Sequence, residues 1–530
     1  MLKTNDGGLS WEEISPDLTK DEKDKHGAGG GPFTIEGAGG ENYNTLSYIE
    51  VSEHDEDVLW TGSDCGLVHV TRDGGDNWTN VTPAGTGDAI INAIDVSPHD
   101  PGTAYVAIMK YKFNDFTPIV YRTSNYGATW TKITNGFAKE DFVRVVREDT
   151  NRKGLLYAGT ETGLYVSFNN GDKWNKMQLN LPICPINDIT IADNDLCLAT
   201  SGRGFWILDD LSALQQADNL ATQKDLQVFQ PKSTVRASYG GRSREDNAGK
   251  NPMSGVIIDY FLPEKLDSNE LTLEVLNEEG FVVRSYTSKK DKSFKKYPGG
   301  PSPSKALGGN KGLNRFAWDM RSNPTPAVNG VFVNGSYSGA MVAPGTYTLK
   351  LSSGDQVSET TAVIIPDPRL KATTADYAAQ QQLLTQIDDA VIDIHETVNQ
   401  MRRVKSQVEN YNKLLKEVNA PDTLLQQGKR ILDKLNFVEG GLIQSKQKTF
   451  QDVINFPNQL NSHFMNLKGK IDSHDPQLTQ GVQTRFKDLV KEWDLAKQNY
   501  KDIVDIEVAR FNELYSTLNI PALVIPEKRP

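Results

Sequence analysis

The chain has 530 residues, of which 37% are hydrophobic and 24% are charged, a length and balance typical of a globular protein with about two to four domains. Its net charge of −12 argues against a broad nucleic-acid surface, because such surfaces carry clusters of basic residues. Three cysteines (Cys65, Cys184 and Cys197) without a CxxC pair, and seven scattered histidines, predict no disulfide framework, no metal site and no cofactor.

An eight-residue pattern, Ser/Thr-x-Asp/Asn-x-Gly-x-x-Trp, occurs four times near the start of the chain. The copies are TNDGGLSW (4–11), TRDGGDNW (71–78), TSNYGATW (123–130) and SFNNGDKW (167–174). Such an internal repeat predicts a repeated structural unit. The last three tryptophans lie 52 and 44 residues apart, close to the length of a β-propeller blade, about 40–50 residues.

Three blocks, 45–82, 90–134 and 142–178, each contain four short strand patterns, with the octapeptide as the turn between the third and fourth. A final set, INDITIAD, LCLATS and GFWILDD, contains three strands and no octapeptide. Residues 1–215 are therefore predicted to be propeller blades of an incomplete ring. In the alternative, residues 1–20 donate the missing outer strand to the final set and close a ring of four.

The octapeptide itself is interpreted as a structural turn. Its Asp or Asn side chain can accept backbone N–H bonds, its glycine can adopt a positive φ, and its hydroxyl can bond within the loop. The tryptophan can bury a large apolar surface between neighbouring sheets. Because Asn125 and Asn169 replace the acid in two copies, a hydrogen-bonded turn fits better than a calcium or sugar site.

These octapeptides resemble the Asp-box, or BNR-repeat, propellers of sialidases, xyloglucanases and sortilin-type receptors. More closely, the chain is similar to a family of large secreted bacterial proteins labelled sortilin-like or glycosyl hydrolase. The phrases that carry this resemblance are WEEISPDLTKD (11–21), GLVHVTRDGGDNWTNVTP (66–83), DFVRVVREDTNRKGLLYAGTETGLYVSFNNGDKW (141–174) and SGRGFWILDDLSALQ (201–215). The resemblance implies a C-terminal portion of a longer protein with upstream blades, located outside the cell, in the periplasm or in the envelope. The motif specifies a fold better than an activity.

Residues 225–367 form a second strand-rich region. Its runs GVIIDYFLP, ELTLEVLNEEGFVVRSYTS, GLNRFAWDMR and PGTYTLKLSSGDQVSETTAVII are joined by Gly, Pro and Ser loops, which predicts an immunoglobulin-like or FlgD-like β-sandwich. The basic run SKKDKSFKK (288–296) is interpreted as a solvated loop, and KKYPGGPSPSKALGGNKG (295–312) as a polar insert.

Residues 372–520 change to a helical period. Apolar residues recur three or four apart from Leu384 to Leu415 and from Phe486 to Leu518, which predicts two long helices. Because both must bury these stripes, we expect an elongated antiparallel helical bundle. Shorter helices are predicted near 422–437 and 457–473, separated by Pro421, EGG (439–441) and Pro457. No stretch reaches the roughly 18 apolar residues of a membrane span.

In an antiparallel meander the turns alternate between two faces. The octapeptides should share one face with the turns between first and second strands. The other face should carry the turns between second and third strands and the links between blades, including 27–44. The candidate binding residues on this other face are Asp64, Lys110, Tyr111, Asp115, Phe116, Glu161 and Arg203. Their mixture of acids, cations and aromatic rings favours a protein, peptide or glycan as the ligand.

No motif identifies a catalytic site. Most glycosidases need two carboxylates about 5–9.5 Å apart, and no local pattern selects such a pair. A sialidase would need an arginine cluster, but Arg144 and Arg147 fall on an inner strand and leave Arg203 without companions. The sequence therefore predicts a recognition protein of the bacterial envelope or exterior without complete catalytic machinery. A glycoside hydrolase, or a fragment of one, is the alternative, and a structural scaffold is the third possibility.

Overall fold

The computed structural model describes residues 1–25, 43–217, 223–237, 249–266, 270–417 and 420–518. The chain is a mixed β and α protein, and nearly all of its strand pairs are antiparallel. It divides into two compact units, Met1–Asn219 and Leu220–Pro530, and each is described by itself.

The first unit consists mainly of short strands. They are β1 (Leu2–Lys3), β2 (Glu12–Glu13), β3 (Leu46–Val51), β4 (Leu59–Ser63), β5 (Val68–Thr71), β6 (Thr79–Asn80), β7 (Ile90–Val96), β8 (Ala104–Lys110), β9 (Asp115–Thr123), β10 (Thr131–Lys132), β11 (Val143–Glu148), β12 (Leu156–Thr160), β13 (Leu164–Ser167), β14 (Asn175–Lys176), β15 (Ile186–Ala192), β16 (Asp195–Thr200) and β17 (Phe205–Leu208), followed by the helix α1 (Ser212–Gln216).

Three consecutive sheets each contain four strands in up-and-down order. Sheet 1 is β3-β4-β5-β6, sheet 2 is β7-β8-β9-β10 and sheet 3 is β11-β12-β13-β14, whereas sheet 4 contains only β15-β16-β17. The predicted four-stranded repeat and the three-stranded final set are confirmed. Residues 1–20 do not complete the final set, because β2 pairs with β1 and not with β17.

The first strands of successive sheets lie against one another, and two apolar cores fill the space between the sheets. Trp60 and Ile94 belong to the core shared by sheets 1 and 2, while Tyr157 and Ile186 belong to the core that continues through sheets 3 and 4. Strand β8 is buried from Ala104 to Met109, as expected for a strand covered on both faces. Burial of these side chains is the main favourable contribution to the stability of this unit.

The octapeptides all form the same hydrogen-bonded turn. In the second copy, Thr71 Oγ1 donates to Asp73 Oδ1 (2.8 Å) and accepts from the backbone N–H of Gly75 (3.0 Å). Asp73 Oδ1 accepts in turn from the backbone N–H of Asn77 (2.9 Å). In the two copies with asparagine, the amide oxygens of Asn125 and Asn169 accept the corresponding backbone bonds at 2.9 and 3.0 Å. The predicted capture of backbone N–H groups is confirmed.

Three of the four octapeptide tryptophans connect their sheet to the preceding one. Each indole Nε1 donates to the backbone carbonyl that lies three residues after the preceding octapeptide tryptophan. The pairs are Trp78 with Ile14 (2.8 Å), Trp130 with Val81 (2.6 Å) and Trp174 with Ile133 (2.8 Å). Gly171, with a φ of +85°, lies so close to Ile133 that a Cβ atom would be 2.4 Å from its Cδ1. The octapeptide therefore connects neighbouring sheets through a hydrogen bond and close packing.

The predicted alternation of turns between two faces is also confirmed. On the octapeptide face, the N–H of Gly74 donates to the carbonyl of Asp57 (3.0 Å), which lies between β3 and β4. On the other face, the N–H of Asp64, at the start of the turn between β4 and β5, donates to the carbonyl of Thr45 just before β3 (3.0 Å). Residues 27–42 of the predicted link 27–44 lie outside the described residues.

The second unit begins with eight described strands in two sheets. The strands are β18 (Gln227–Val228), β19 (Thr234–Arg236), β20 (Val256–Leu262), β21 (Leu271–Leu276), β22 (Val282–Thr287), β23 (Gly312–Trp318), β24 (Gly345–Ser353) and β25 (Gln356–Pro366). One sheet has the order β18-β20-β23 and the other β19-β25-β24-β21-β22, with β19 and β25 parallel. Residues of both sheets, among them Tyr260, Trp318 and Leu349, share one apolar core.

Helices make up the remainder of the second unit. They are α2 (Thr374–Glu417), α3 (Asp422–Leu442), α4 (Leu460–Ile471), α5 (Gln480–Asp502) and α6 (Ala509–Thr517), with a π-helical segment, Ile503–Val508, between the last two. The predicted interruption at 439–441 is wrong, because α3 continues through both glycines to the buried Leu442. The Glu439 carboxylate joins this part of α3 to α2 by pairing with Arg402 and Lys405, each at 2.8 Å.

The helices of this unit pack against a long connection between two of its strands. Val328, Val331 and Tyr337, from the long connection between β23 and β24, pack in the same apolar cluster as Leu384 of α2 and Phe464 of α4. The division of the chain into domains at 1–215, 225–367 and 372–520 stays a prediction.

Candidate functional site

Four of the seven candidate residues lie on one hairpin of sheet 2. Lys110, the last residue of β8, pairs in register with Asp115, the first residue of β9. Between them, Tyr111–Phe113 form one turn of 3-10 helix, which Asn114 closes with a φ of +58°. The Asp115 carboxylate accepts the N–H of Thr117 at 3.0 Å, and this bonding to Thr117 is the main cause that lowers the pKa of Asp115.

The tip of this hairpin contacts sheet 3 through aromatic rings. The rings of Tyr111 and Phe142 are stacked, with centroids 5.1 Å apart and planes 9° apart, and the ring of Phe116 lies 6.3 Å from that of Phe142. The guanidinium of Arg144 lies 5.1 Å from the Phe142 ring and donates twice to Glu161 Oε2, at 2.8 and 2.6 Å. We call these five residues, Tyr111, Phe116, Phe142, Arg144 and Glu161, the aromatic cluster.

The aromatic cluster combines a rigid base with an accessible rim. Phe142 is buried, whereas Phe116 is 41% exposed and the Glu161 side chain is 38% exposed. Stacked rings and a guanidinium over a ring each contribute about 0.5–1.5 kcal/mol, so these groups are held in place before any ligand arrives. The arrangement offers an apolar surface beside a hydrogen-bond acceptor and a cation.

Two other candidates lie elsewhere in the first unit. The Asp64 carboxylate accepts both the N–H (2.8 Å) and the hydroxyl (3.0 Å) of Thr45. Sheet 3 has the same contact with the two residue types exchanged. There the acid, Asp141, precedes β11 and accepts the N–H (3.0 Å) and the hydroxyl (2.7 Å) of Thr162, in the turn between β12 and β13. Arg203 lies exposed between β16 and β17 and makes no ion pair with any described residue.

Phe142 and Arg144 are the members of the cluster that sequence reasoning does not select. Arg144 is correctly predicted to lie on an inner strand, but the expectation that it is therefore absent from the face opposite the octapeptides is wrong. Strand β11 begins at that face, and Arg144 is its second residue, so its side chain reaches Glu161 in the turn between β12 and β13. Their position in the sequence could have identified both residues. The first residues of an inner strand directly follow a link between blades, so they lie near the face that carries these links.

A second polar group, the inner-strand cluster, joins the first strands of all four sheets. It consists of Tyr48 on β3, Asp95 on β7, Arg147 on β11 and Asp188 on β15. Arg147 Nη2 donates to Tyr48 OH (2.8 Å) and Asp188 Oδ1 (3.0 Å), and its Nε lies 3.8 Å from Asp95 Oδ1. Burial raises the pKa of Asp95 to about 7, although the charge of Arg147 opposes this rise.

Asp95→Asn is expected to change how stability depends on pH. The carboxyl of Asp95 titrates near 3.8 when unfolded and near 7 when folded, so the folded state holds the extra proton between these values. Its contribution to stability is therefore present below about pH 4 and is lost as the pH rises through 7. A shift of three pKa units corresponds to about 4 kcal/mol. We therefore expect the free energy of unfolding of the variant to exceed that of the parent by about 2–4 kcal/mol at pH 8, with no difference at pH 4.

This prediction is checked by urea unfolding of both proteins at pH 4, 6 and 8, with hydrogen exchange in β7 and β11 assigning the change to the first unit. The amide oxygen of the variant can still accept the N–H of Glu148, as Asp95 Oδ2 does at 2.8 Å. Asp76→Asn, at an exposed position, is the control. An equal difference from the parent at pH 4 and pH 8 would contradict the assigned titration.

The described residues contain no group of three or more His, Cys, Asp or Glu side chains placed to hold a metal ion. No helix in the described ranges has the length and apolar character needed to cross a bilayer. Cys65, Cys184 and Cys197 are free thiols.

No protein-family model and no curated protein matches the chain. Among solved structures, YCF48 from Cyanidioschyzon merolae is 20% identical over 31% of this chain and 52% of that one, with a TM-score of 0.25, and YCF48 bound to D1 peptide is 18% identical over the same shares, also at 0.25. The GH74 xyloglucanase from Xanthomonas campestris is 12% identical over 70% of this chain and 62% of that one, with a TM-score of 0.31. The match spans about half the length of the YCF48 structures. TM-scores this low do not support a conclusion about fold or function, so both rest on the chain's own residues.

Proposed function

We propose that the first unit is an Asp-box β-propeller segment that recognises an extended peptide or glycan, or a protein that presents one, on the face opposite the octapeptide turns. The protein would act outside the cell, in the periplasm or in the envelope, without complete catalytic machinery. The aromatic cluster is the observation that carries this proposal, because it combines the exposed ring of Phe116 with the carboxylate of Glu161 and the guanidinium of Arg144 on that face.

The geometry supports recognition more directly than hydrolysis. Glu161 already accepts two hydrogen bonds from Arg144, and Asp115 is held by Thr117, so both act as fixed acceptors. Exposed aromatic surface next to fixed polar groups is typical of binding hot spots. We assign the sheets of the second unit to the immunoglobulin-like class and its helices to an antiparallel bundle, which would carry the recognition unit.

Phe116→Ala is expected to weaken ligand binding about tenfold without unfolding the protein, because truncation of an aromatic hot-spot residue commonly costs more than about 1 kcal/mol. The ligand would first be identified on glycan and peptide arrays, and its affinity for parent and variant would then be measured by titration calorimetry. Phe281→Ala is the matched control, since Phe281 is an even more exposed phenylalanine in the second unit.

Unchanged affinity in Phe116→Ala would exclude the aromatic cluster as the binding surface. A panel of fluorogenic glycosides tests the alternative. Turnover that disappears in Glu161→Gln or Asp115→Asn would establish a glycoside hydrolase in place of a recognition protein.

A further inference from the structure

One stretch of the second unit reverses the charge of the chain. Residues 282–322 contain ten basic residues and two acidic residues, in a protein with a net charge of −12. The basic residues are Arg284, Lys289, Lys290, Lys292, Lys295, Lys296, Lys305, Lys311, Arg315 and Arg321. In the run 288–296, Lys289 pairs with Glu270 at 3.4 Å, while the other lysines are exposed and form no ion pair within the described ranges. This stretch creates a local positive field on an acidic protein.

The same stretch lines a cavity of about 320 Å³. Arg284, Lys305 and Arg321 supply its cations, Asp319 supplies a carboxylate, and several serines supply hydroxyls. A second cavity of about 280 Å³ adjoins it, and its charged lining residues are Lys468, Lys470 and Asp472. Both cavities are lined by the loop 335–339, so this loop separates two compartments of one cationic groove.

Arg284, Arg321 and Asp319 of the cationic groove are held in fixed positions. Arg284 Nη1 donates to the carbonyl of Ser322 (2.8 Å), and its guanidinium lies 4.8 Å from the centre of the Tyr286 ring. Tyr286 OH donates to Asp319 Oδ1 (3.3 Å), and Arg321 is tied to Asp472.

We propose that the cationic groove binds an acidic oligosaccharide, whose carboxylates pair with Arg284, Lys305 and Arg321. This site is separate from the proposed function of the first unit. Guanidinium and ammonium groups pair strongly with carboxylates, and a compartment of about 300 Å³ is at the lower end of small-ligand sites. The lysines of 288–296 would raise the association rate of such a polyanion by long-range attraction.

The lining favours an acidic sugar polymer over a nucleic acid. Asp319 and the serines can accept and donate hydrogen bonds to sugar hydroxyls. A phosphate backbone would meet the Asp319 carboxylate without compensation, and nucleic-acid sites gain most of their affinity from phosphate contacts. A ligand that alternates carboxylates with hydroxyls matches both kinds of group.

The test is titration calorimetry of the full chain with tetragalacturonate, with neutral maltotetraose as the matched uncharged probe. We expect binding of the first and none of the second. Lys305→Glu should weaken binding about tenfold or more. Ser304→Trp should have a comparable effect, because it fills the first compartment at an exposed position without changing the charge. Lys311→Glu, at an exposed lysine outside both cavities, should change affinity less than about twofold.

Three results would overturn the proposal. The first is the absence of tetragalacturonate binding at low salt. The second is equal weakening by Lys305→Glu and Lys311→Glu with no effect of Ser304→Trp, which would mean diffuse attraction to the lysines and not a site. The third is tighter binding of single-stranded DNA of matched charge, lost in the same variants, which would make the groove a nucleic-acid surface. Far-UV circular dichroism of each variant shows that the fold is retained.

Discussion

Trp174→Ala is expected to lower the free energy of unfolding of the first unit by about 3–5 kcal/mol, the usual cost of truncating a buried tryptophan. Trp174 is 2% exposed, its ring centroid lies 4.9 Å from that of Phe137, and its Nε1 donates to the carbonyl of Ile133. The substitution would leave a cavity between sheets 2 and 3 and an unsatisfied buried carbonyl.

Trp11→Ala provides the matched control, because Trp11 occupies the same octapeptide position but is 59% exposed. Its substitution should change stability by less than about 0.5 kcal/mol. Urea unfolding followed by circular dichroism gives both values, and hydrogen exchange in β9 to β14 assigns the loss to sheets 2 and 3. If Trp174→Ala were as stable as the parent, the octapeptides would not be the elements that hold the sheets together.

The repeat could be predicted from the sequence because its physics is local. The hydroxyl of Thr71, the carboxylate of Asp73 and the N–H of Gly75 meet within five residues, so spacing alone determines their hydrogen bonds. Strand order in the first unit follows from the same locality, since the strands of sheets 1 to 4 pair with their neighbours along the chain. The face that carries each turn then follows from simple alternation.

Contacts between sheets could not be read in the same way. The stacking of Tyr111 on Phe142 and the bond from Arg147 to Tyr48 join residues 31 and 99 positions apart, and nothing in either local pattern encodes its partner. Arg144 is an example of what the local pattern leaves open. Its strand could be predicted, but its place at the end of β11 nearest Glu161 depends on the residue at which β11 starts. Candidates Asp64 and Arg203 satisfied the same sequence criterion as Tyr111, yet the structure holds Asp64 on Thr45 and leaves Arg203 on another sheet.

Arg236→Met is expected to lower the free energy of unfolding of the second unit by about 3–5 kcal/mol, because the loss of hydrogen bonds to three buried acceptors outweighs the relief of the buried charge. Arg236 is fully buried at the end of β19. Its Nε donates to the carbonyl of Val342 (2.9 Å), Nη1 to that of His474 (3.2 Å), and Nη2 to Gln380 Oε1 (2.8 Å). Methionine keeps the apolar stem but leaves these three acceptors without a donor.

The partner Gln380 makes this prediction specific. Its Nε2 donates to the carbonyls of Ile471 (2.7 Å) and Ser473 (2.9 Å), so Arg236 and Gln380 together connect strand β19, helix α2 and the segment after α4. Unfolding of Arg236→Met, Gln380→Leu and the double variant should show a coupling energy of about 1–3 kcal/mol. Arg203→Met, at an exposed arginine, should be neutral. Strict additivity would mean that the two side chains act separately, and that burial of the arginine, and not the shared network, holds the strand to the helix.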